Sequence, residues 1–466
     1  MVIGSGMAGL LASVVLAEAG HAVSLLERDV PPERALPRPG VPQGRQPQVL
    51  LHRALLDMEQ LLPGFRDQLI AAGGVPLDTG DLAWLGARGW APFGTPAFEL
   101  VSATRPLVEH LVRARVTAHA GVRLLDGVRV SGLRRRDSAA GWLVERADGS
   151  VFTADLVVDA SGRNSRLPEW LAGLGTERVP TTTVDARFGY ASRVYSGPAQ
   201  LLAPVAGIVV LPTPGAPTGG TALPVEGGRW LVTAVGAGDH RPPRDPMGFT
   251  AFLARLRDPA LADFARTARP VGEVAIHRRT GNERHHYERV RQWPDGLLVV
   301  GDSLCAFNPV YGQGIAVAAA QALLLKRRWA AGTRPGWEHR LLRRFARTAE
   351  LPWAIASGED LTHVAGARKT GPVDALFTRW SGEVDRLAAH GDVRAQRALD
   401  RVYHLVESPT RLFSPGLVSA VVRSRVLGPS APSPRPPLFT DPVAPPRVPD
   451  TMPVPDRTHH TRRDSR

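Results

Sequence analysis

The chain has 466 residues, of which 43% are hydrophobic, and a formal net charge of +13. Its length allows a large core spread over two or three structural units, and its composition excludes a disordered or fibrous protein. The positive charge comes mostly from scattered arginines without the aromatic residues that single-strand binding requires, so we predict no nucleic-acid partner.

The chain opens with a pattern typical of a strand, a glycine turn, a helix and a second strand. "VIG" is the end of a strand, Leu10 to Ala19 form an apolar helix, and "AVSLLE" is the returning strand. No signal peptide pattern is present. Because only the last residues of the first strand are present, we expect the natural start to lie slightly upstream.

Gly4, Gly6 and Gly9 form a G-x-G-x-x-G turn between that strand and that helix. The first glycine permits the tight turn, the second lets a pyrophosphate approach the backbone, and the third lets helix and strand pack closely. The helix N-terminus adds free N–H groups and partial positive charge for phosphates. Glu27 ends the second strand, where its carboxylate can accept from a ribose 2′-hydroxyl. This pattern predicts an ADP moiety without a 2′-phosphate, as in FAD or NAD.

The middle of the chain alternates apolar and polar residues in the manner of antiparallel strands. Helices are predicted from Leu50 to Leu62 and from Pro106 to His119, and a buried strand from Leu297 to Val300. Residues 336–428 are predicted to be mainly helical. From Pro429 to the end, 11 of 38 residues are proline, which is typical of a disordered tail.

A second motif, "GDSLCAFNPVYGQG" at residues 301–314, follows the buried strand. A flavin protein needs a carboxylate at a second strand end, near the ribityl chain and pyrophosphate, and Asp302 meets that need. Gly312 and Gly314 allow backbone N–H groups to approach the edge of the flavin ring where negative charge accumulates on reduction. The motif therefore favours a resident FAD over a shuttling nicotinamide.

With both motifs the sequence resembles the group A FAD-dependent monooxygenases over roughly residues 1–425. Within that group, "GVPQGRQPQVLL", "ADLVVDASGRNS" and "YERVRQWPDGLLVVGDSLCAFNPVYGQG" are most similar to the flavin epoxidases of polyether pathways, such as the lasalocid and monensin epoxidases. The resemblance implies an α/β fold. It comprises a Rossmann-like FAD-binding domain, an inserted and mainly antiparallel β-sheet substrate domain, and a helical C-terminal region.

These units have predicted boundaries. The FAD-binding domain is discontinuous and the substrate domain is inserted into it. The predicted ranges are 1–74, 102–167 and 275–335 for the FAD-binding domain, 75–101 and 168–274 for the substrate domain, 336–428 for the helical region and 429–466 for the tail.

The resemblance also assigns residues to FAD, grouped by the part of the cofactor they would contact. The ADP part is assigned Gly4, Gly6, Met7, Ala8, Gly9, Glu27 and Arg28, with Arg105 at the phosphates. Gly301 and Asp302 are assigned to the ribityl and pyrophosphate region, and Pro309, Gly312, Gln313, Gly314 and Ile315 to the flavin ring. Gln43 and Arg45 belong to a loop that passes near the flavin in such enzymes.

Two departures from the family pattern bear on reduction of the flavin. Many hydroxylases of the group carry an Asp-Gly pair that touches FAD and NAD(P)H, whereas this chain has Ser161-Gly162 at that place. The epoxidase-like loop usually continues with histidines, whereas here it continues as Arg45-Gln46-Pro47-Gln48. We therefore expect electrons to come either from NAD(P)H or from a partner flavin reductase.

The resemblance implies epoxidation of an alkene in a linear polyketide, through a flavin C4a-hydroperoxide. A first alternative is an FAD-containing but redox-silent polyketide cyclase that closes a ring by [4+2] addition. Both departures favour it. A second alternative is an NAD(P)H-dependent aromatic hydroxylase, which Ser161 disfavours. Flavin halogenases share the fold, but their Trp-x-Trp-x-Ile-Pro stretch is absent.

The remaining candidates concern the substrate and the surroundings. Phe188, Tyr190, Trp230 and Phe307 are predicted to line a substrate pocket for a small polyketide-type molecule. His285-His286 is an adjacent pair and His459-His460 is another, and such pairs are poor for sharing a metal, so no metal is predicted. The lone Cys305 excludes an internal disulfide and favours a cytoplasmic protein. No membrane partner is predicted.

Overall fold

The computed structural model describes residues 1–136, 140–330, 336–364 and 372–438. Its α-helices are α1 (Met7–Glu18), α2 (His52–Leu61), α3 (Phe65–Ala71), α4 (Arg105–Thr117), α5 (Leu167–Gly173), α6 (Pro246–Leu253), α7 (Ala260–Thr267), α8 (Gly314–Ala330), α9 (Trp337–Thr348), α10 (Glu350–Leu361), α11 (Pro372–Ala389), α12 (Val393–Tyr403) and α13 (Pro415–Leu427). Of these helices, none is long and apolar enough to cross a bilayer.

The strands form five sheets. They are β1 (Val2–Ile3), β2 (Val23–Leu26), β3 (Pro47–Leu50), β4 (Val75–Asp78), β5 (Leu82–Leu85), β6 (Glu99–Thr104), β7 (Val122–Leu125), β8 (Val130–Arg135), β9 (Trp142–Arg146), β10 (Val151–Ala154), β11 (Val157–Asp159), β12 (Thr181–Val184), β13 (Gly189–Ser196), β14 (Gly207–Val210), β15 (Thr218–Val225), β16 (Arg229–Gly236), β17 (Arg269–His277), β18 (Asn282–His285), β19 (Leu297–Val299) and β20 (Cys305–Ala306).

A parallel sheet in the order β19-β11-β1-β2-β7 forms the first layer. Helices α1, α4 and α8 pack with it around apolar side chains that are almost wholly buried, such as Leu10, Leu25 and Val158. Parallel strands present their carboxyl ends at one edge, and ligands of such sheets bind there. The predicted Rossmann-like fold is thus confirmed. The first helix begins at Met7 rather than Leu10, because the glycine turn already contains its first turn.

A six-stranded sheet in the order β17-β13-β16-β15-β14-β5 forms the second unit, antiparallel except where β14 pairs with β5. One face carries Trp230, which packs in a core with Phe249 of α6 and Phe264 of α7. The other face is turned toward a large cavity. The predicted antiparallel β-sheet unit is confirmed, and its last strand continues to His277, past the predicted boundary at residue 274.

Three smaller three-stranded sheets complete the strands. Their orders are β3-β6-β4, β10-β9-β8 and β12-β18-β20. The β3-β6-β4 sheet packs against the six-stranded sheet, since β3 contacts β16 and β6 contacts β15.

The C-terminal region is helical, as predicted, and α11, α12 and α13 share a core of their own. The predicted disorder from Pro429 is wrong for residues 429–438. Leu438 packs against the core of the six-stranded sheet, and Arg435 forms an ion pair with Asp258 at 2.9 Å. The N–H of Ser433 also donates to the carbonyl of Ala389 at 2.8 Å, so the segment contacts both the six-stranded sheet unit and the helical region. The rest of the predicted tail, 439–466, lies outside the described residues.

Candidate functional site

One cavity of about 1860 Å³ joins the two units. Its walls are the carboxyl edge of the parallel sheet, the open face of the six-stranded sheet, and helices α10 to α12. Small-molecule pockets typically have about 300–1,000 Å³. The cavity therefore has room for a large cofactor together with a second molecule.

The three glycines of the turn after β1 have different roles. Gly4 has φ +97°, and a Cβ there would lie 2.5 Å from the carbonyl oxygen of Ala160. A Cβ on Gly9 would overlap the carbonyl oxygen of Gly4, so Gly9 packs α1 onto the turn and does not line the cavity. Gly6 faces open space, with nothing within 4 Å of a Cβ. An anion can therefore approach the backbone at Gly6.

The N-terminus of α1 is left open toward the cavity. Gly6 is its N-cap, no side chain caps it, and its first turn has no acidic residue. The first N–H groups of a helix have no partner within the helix and carry partial positive charge. Together with the open side of Gly6, they form a site for phosphate oxygens.

Glu27 lies at the end of β2, 5% exposed, with its carboxylate against the glycine turn. Its Oε2 accepts from the N–H and the hydroxyl of Ser5 at 2.9 and 2.7 Å, and its Oε1 accepts from the N–H of Asp29 at 3.1 Å. Burial acts to raise the pKa of Glu27, but the Arg38 cation and these hydrogen bonds outweigh burial and lower it. Glu27 is thus an ionised acceptor facing the cavity.

Arg38 is a site residue that the sequence did not predict. Its guanidinium lies 3.1 Å from Glu27 and from Asp29 and donates to Glu109 at 2.7 Å. Burial acts to lower the pKa of Arg38, and the carboxylates around it outweigh burial and raise it. It stands between Pro37 and Pro39, and only its three-dimensional contacts with several carboxylates identify it.

The predicted cofactor residues fall into two groups. Those that line the cavity are Gly4, Gly6, Met7, Ala8, Glu27, Arg28, Arg105, Gly301, Asp302, Pro309, Gly312, Gln313, Gly314 and Ile315. Arg45 is exposed and is not among the residues that line it, because it ends a short turn whose next residue, Gln46, points inward instead. The side chain of Gln43 lies outside the described residues.

Gln46 is the inward residue of that turn. It is 6% exposed, lines the cavity, and accepts from the hydroxyl of Ser192 on β13. In the sequence, Gln46 stands out only as a departure from the family's histidines. A polar residue directly before a strand, between the turn and β3, was the available signal.

Asp302 follows β19 and reaches the cavity from the second strand end. No hydrogen-bond donor of the described residues reaches its carboxylate, although Arg163 and Arg105 lie near enough to affect its pKa. Burial raises the pKa of Asp302, and those two cations act against the rise. A carboxylate that no donor of the described residues reaches, beside two cations, can accept hydrogen bonds from a ligand.

We expect Asp302→Ala to weaken FAD binding by roughly ten- to a hundredfold, as for loss of a hydrogen bond to a charged group of about 1.5–3 kcal/mol. The apoprotein should be as stable as the wild type or more so, because a half-buried carboxylate with no donor among the described residues is removed. Titration of apoprotein with FAD and thermal unfolding measure the two effects. Asp295→Ala, which removes an exposed carboxylate, is the control and should leave FAD affinity unchanged. Unchanged FAD affinity in Asp302→Ala would remove Asp302 from the site.

The turn at residues 309–314 brings the start of α8 to the cavity. Gly312 is left-handed, with φ +66°, and its own N–H donates to the carbonyl of Pro309 at 3.1 Å. The groups available to a ligand are therefore those of the first turn of α8, which begins at Gly314. Gln313 is 1% exposed, and neither polar atom of its side chain has a partner among the described residues. This end of the cavity is built for a polar ring edge.

The segment after β11 contains the predicted departure at Ser161-Gly162. Asp159 is wholly buried and accepts from the hydroxyls of Ser161 and Ser165 at 2.6 and 2.5 Å. The N–H of Gly162 donates to the Ser303 hydroxyl at 2.8 Å. Ser161 is therefore held by its own loop, and the only carboxylate of this segment points away from the cavity.

The predicted substrate-pocket residues also divide. Phe188, Tyr190 and Phe307 line the cavity. Trp230 does not. It is fully buried on the other face of the six-stranded sheet, where its indole N–H donates to Pro198 and its ring packs on Phe264. Side chains alternate along β16, so Thr233 and Val235 face the cavity instead.

The far wall of the cavity carries carboxylates from the helical region. Glu359, Asp385 and Asp400 line it, on α10, α11 and α12. Burial raises the pKa of each, that of Asp400 to about 6, and the neighbouring Asp385 raises the pKa of Glu359 further. These three carboxylates are accessible from the cavity, although protein surrounds them on their other sides. This wall is polar, whereas the middle of the cavity is apolar and aromatic.

The residues at the parallel-sheet edge fit a flavin dinucleotide. The open backbone at Gly6 and the uncapped N-terminus of α1 can bind a pyrophosphate, and the carboxylate of Glu27 can accept from a ribose hydroxyl. Asp302 and the first turn of α8 supply an acceptor and donors where a ribityl chain and ring would follow.

Comparison with known proteins agrees with this geometry. A family described as "FAD binding domain" matches residues 1–355. Protein Rv3254 of Mycobacterium tuberculosis is 30% identical over 435 residues, which cover 88% of this chain and 91% of that protein.

Two solved structures share the fold. The Diels-Alderase PyrE3 of the pyrroindomycin biosynthetic pathway has a TM-score of 0.57 and 17% identity, covering 87% of this chain and 80% of its own. PqsL of Pseudomonas aeruginosa, a probable FAD-dependent monooxygenase, has a TM-score of 0.57 and 15% identity, covering 78% and 93%. At these identities the likeness shows the fold alone.

Proposed function

Because the chain belongs to the FAD-binding domain family, we propose that it is an FAD-dependent monooxygenase that epoxidises an alkene of a linear polyketide-type molecule. The observation that carries this proposal is one continuous cavity. It joins the dinucleotide-fitting edge of the parallel sheet to an apolar, aromatic chamber under the six-stranded sheet.

The chemistry needs few side chains. Bound FAD supplies the two-electron activation of dioxygen, so that alkene, dioxygen, two electrons and two protons give epoxide and water. The protein must hold the alkene beside the ring and exclude water. Phe188, Phe307 and Val235 are buried apolar residues that line the chamber and serve that purpose.

The substrate would extend from the ring toward the far wall. The middle of the chamber suits an apolar chain, and the carboxylates of Glu359, Asp385 and Asp400 suit hydroxyl groups at its end. An elongated molecule with an unsaturated middle and a hydroxylated end matches both, and linear polyketides have this character.

A partner flavin reductase, rather than NAD(P)H directly, is the electron source that the loop after β11 favours. Asp159 is turned into the core and held by two serines, and Arg163 donates to the carbonyls of Gly281 and Phe307. The side chains of Asp159 and Arg163 already form hydrogen bonds within the protein. Fewer polar groups therefore remain to bind a nicotinamide at that side of the cavity.

We expect bound FAD, under anaerobic conditions, to bleach with a flavin reductase system at least about tenfold faster than with NADH or NADPH alone. Stopped-flow absorbance of the flavin band measures both rates. Faster bleaching by NAD(P)H alone would assign reduction to this chain itself. Failure of every reductant, with FAD bound, would contradict the monooxygenase proposal.

A redox-silent cyclase is the second candidate. The occupied loop at Asp159 and Ser161 favours it, since a ring closure needs no electrons. A cyclase would hold a folded polyene in the same chamber and release a product of unchanged mass. The mass of the product therefore separates the two proposals.

A further inference from the structure

Asp360 lies near the end of α10, 1% exposed, and is not among the residues that line the cavity. Its Oδ1 accepts from the Tyr311 hydroxyl at 2.9 Å and from Asn308 Nδ2 at 3.1 Å. Its Oδ2 accepts from Asn282 Nδ2 at 2.7 Å. Every partner is a donor, and the partners come from β18 and from the turn before α8.

Asn308 links Asp360 to residues that line the cavity. Its backbone N–H donates to Asn282 Oδ1 at 2.7 Å, and its own Oδ1 accepts from the Tyr190 hydroxyl and from the Val310 N–H. It is wholly buried. The amide of Asn308 thereby fixes both the turn that follows it and the hydroxyl of Tyr190, which lines the chamber.

The turn held in this way is the one that faces the ring end of the FAD site. Pro309, Tyr311 and Gly312 line the cavity, and α8 begins two residues after Gly312. A shift of the turn would displace the first N–H groups of α8.

A buried carboxylate is a costly way to stabilise a fold, since apolar residues of similar volume often do as well. Burial raises the pKa of Asp360 to about 6, against the hydrogen bonds from Tyr311, Asn308 and Asn282. What the carboxylate provides, and an apolar residue would not, is two acceptor oxygens that orient several donors at once.

We propose that Asp360 is a positioning residue for FAD: its carboxylate holds the turn from Asn308 to Gly312, and with it the start of α8, in the conformation that receives the flavin ring. Since Asp360 belongs to the C-terminal helical region, this makes that region a part of the cofactor site. The inference rests on the proposed FAD site. Its test measures FAD binding rather than turnover, so the proposed oxidation can fail while this inference stands.

The test begins with Asp360→Asn, which keeps shape but places an amide donor against the Asn282 amide donor. We expect FAD to bind this variant about tenfold more weakly or worse. The visible spectrum of its bound flavin should lose the vibrational structure of a rigidly held ring. Titration of apoprotein with FAD, and absorbance spectra at saturation, measure both.

The double variant Asp360→Asn with Asn282→Asp separates positioning from folding. The exchange restores a donor–acceptor pair between the two side chains, and the new carboxylate can still accept from the Asn308 N–H. We expect FAD affinity to return to within about threefold of the wild type. Tyr311→Phe removes only one donor and should weaken FAD several-fold with little change in the stability of the apoprotein.

Wild-type FAD affinity in Asp360→Asn would overturn the proposal. A folded double variant whose affinity stays as weak as that of the single variant would also overturn it. Should both variants fail to fold, Tyr311→Phe decides: weaker FAD binding supports the proposal, and unchanged binding contradicts it.

Discussion

Gly6→Ala is expected to leave the apoprotein folded and to weaken FAD binding at least about a hundredfold. Gly6 has φ −70°, which any residue adopts, and a Cβ there meets nothing within 4 Å, so folding is not disturbed. The methyl group would occupy the space through which a pyrophosphate reaches the first N–H groups of α1. Loss of two charge-assisted hydrogen bonds, at about 1.5–3 kcal/mol each, accounts for the factor.

Two glycines serve as controls for this variant. Gly173→Ala, at the end of α5, also meets nothing within 4 Å; it should leave FAD binding unchanged and stabilise the fold by at most about 1 kcal/mol. Gly9→Ala should fail to fold, because its methyl group would overlap the Gly4 carbonyl. Thermal unfolding measures the stability of the three variants, and FAD titration measures their affinity for the cofactor. Tight FAD binding by Gly6→Ala would show that the pyrophosphate does not lie at the glycine turn.

Arg38→Met is expected to cost about 3–5 kcal/mol of unfolding free energy at neutral pH, as for removal of one partner from a buried ion pair. Arg38 is 8% exposed and holds Glu27, Asp29 and Glu109 together. Methionine fills a similar volume but leaves these carboxylates without their cation. Arg45→Met, an exposed arginine in the neighbouring turn, is the matched control and should lie within about 0.5 kcal/mol of the wild type.

The same variant should reverse the contribution of Glu27 to the pH dependence of stability. In the wild type the pKa of Glu27 is lowered, so its stabilisation is present above its unfolded pKa and is lost only as the pH falls through the lower folded value. Without Arg38 the cation that lowers the pKa of Glu27 is lost while burial, the largest influence on it, remains; we therefore expect that pKa to rise and stability to fall as the pH rises through it. Chemical denaturation should show that Arg38→Met loses less stability relative to the wild type at about pH 5.5 than at pH 8, since groups such as Asp360 and Asp400 titrate in both proteins. An equal loss at both pH values would contradict the role given to Arg38.

The sequence predicted those parts of the site that depend on local backbone geometry. Gly4, Gly6 and Gly9 occupy fixed places in a strand–turn–helix unit, and Asp302 follows a strand end, so spacing alone located them. The carboxyl ends of parallel strands must meet at one edge, which brings the two motifs together.

Long-range partners could not be predicted in this way. Arg38 and Asp360 matter because of carboxylates or amides far away in the chain, such as Glu109 and Asn282. Trp230 was placed on the wrong face, since composition alone does not decide which parity of an alternating strand faces a cavity. Arg45 was preferred to Gln46 because the resemblance indicated a loop, whereas the inward position depends on where that turn ends.

The family match and the substrate wall cover different parts of the chain. The match spans residues 1–355, whereas Glu359, Asp385 and Asp400 of the far wall come later. Cofactor binding can therefore be transferred from the family. The carboxylates that we propose for the polar end of the substrate lie beyond the residues that the family match covers.

The measurement that tests the central claim most directly uses isotopically labelled dioxygen. The holoprotein, supplied with reducing equivalents by a flavin reductase, is incubated with a linear polyene polyketide, and the product is analysed by mass spectrometry. A monooxygenase yields a product heavier by one labelled oxygen atom, and none without reductant. An isomer of unchanged mass, formed equally in the absence of dioxygen and reductant, would contradict the account and identify a cyclase.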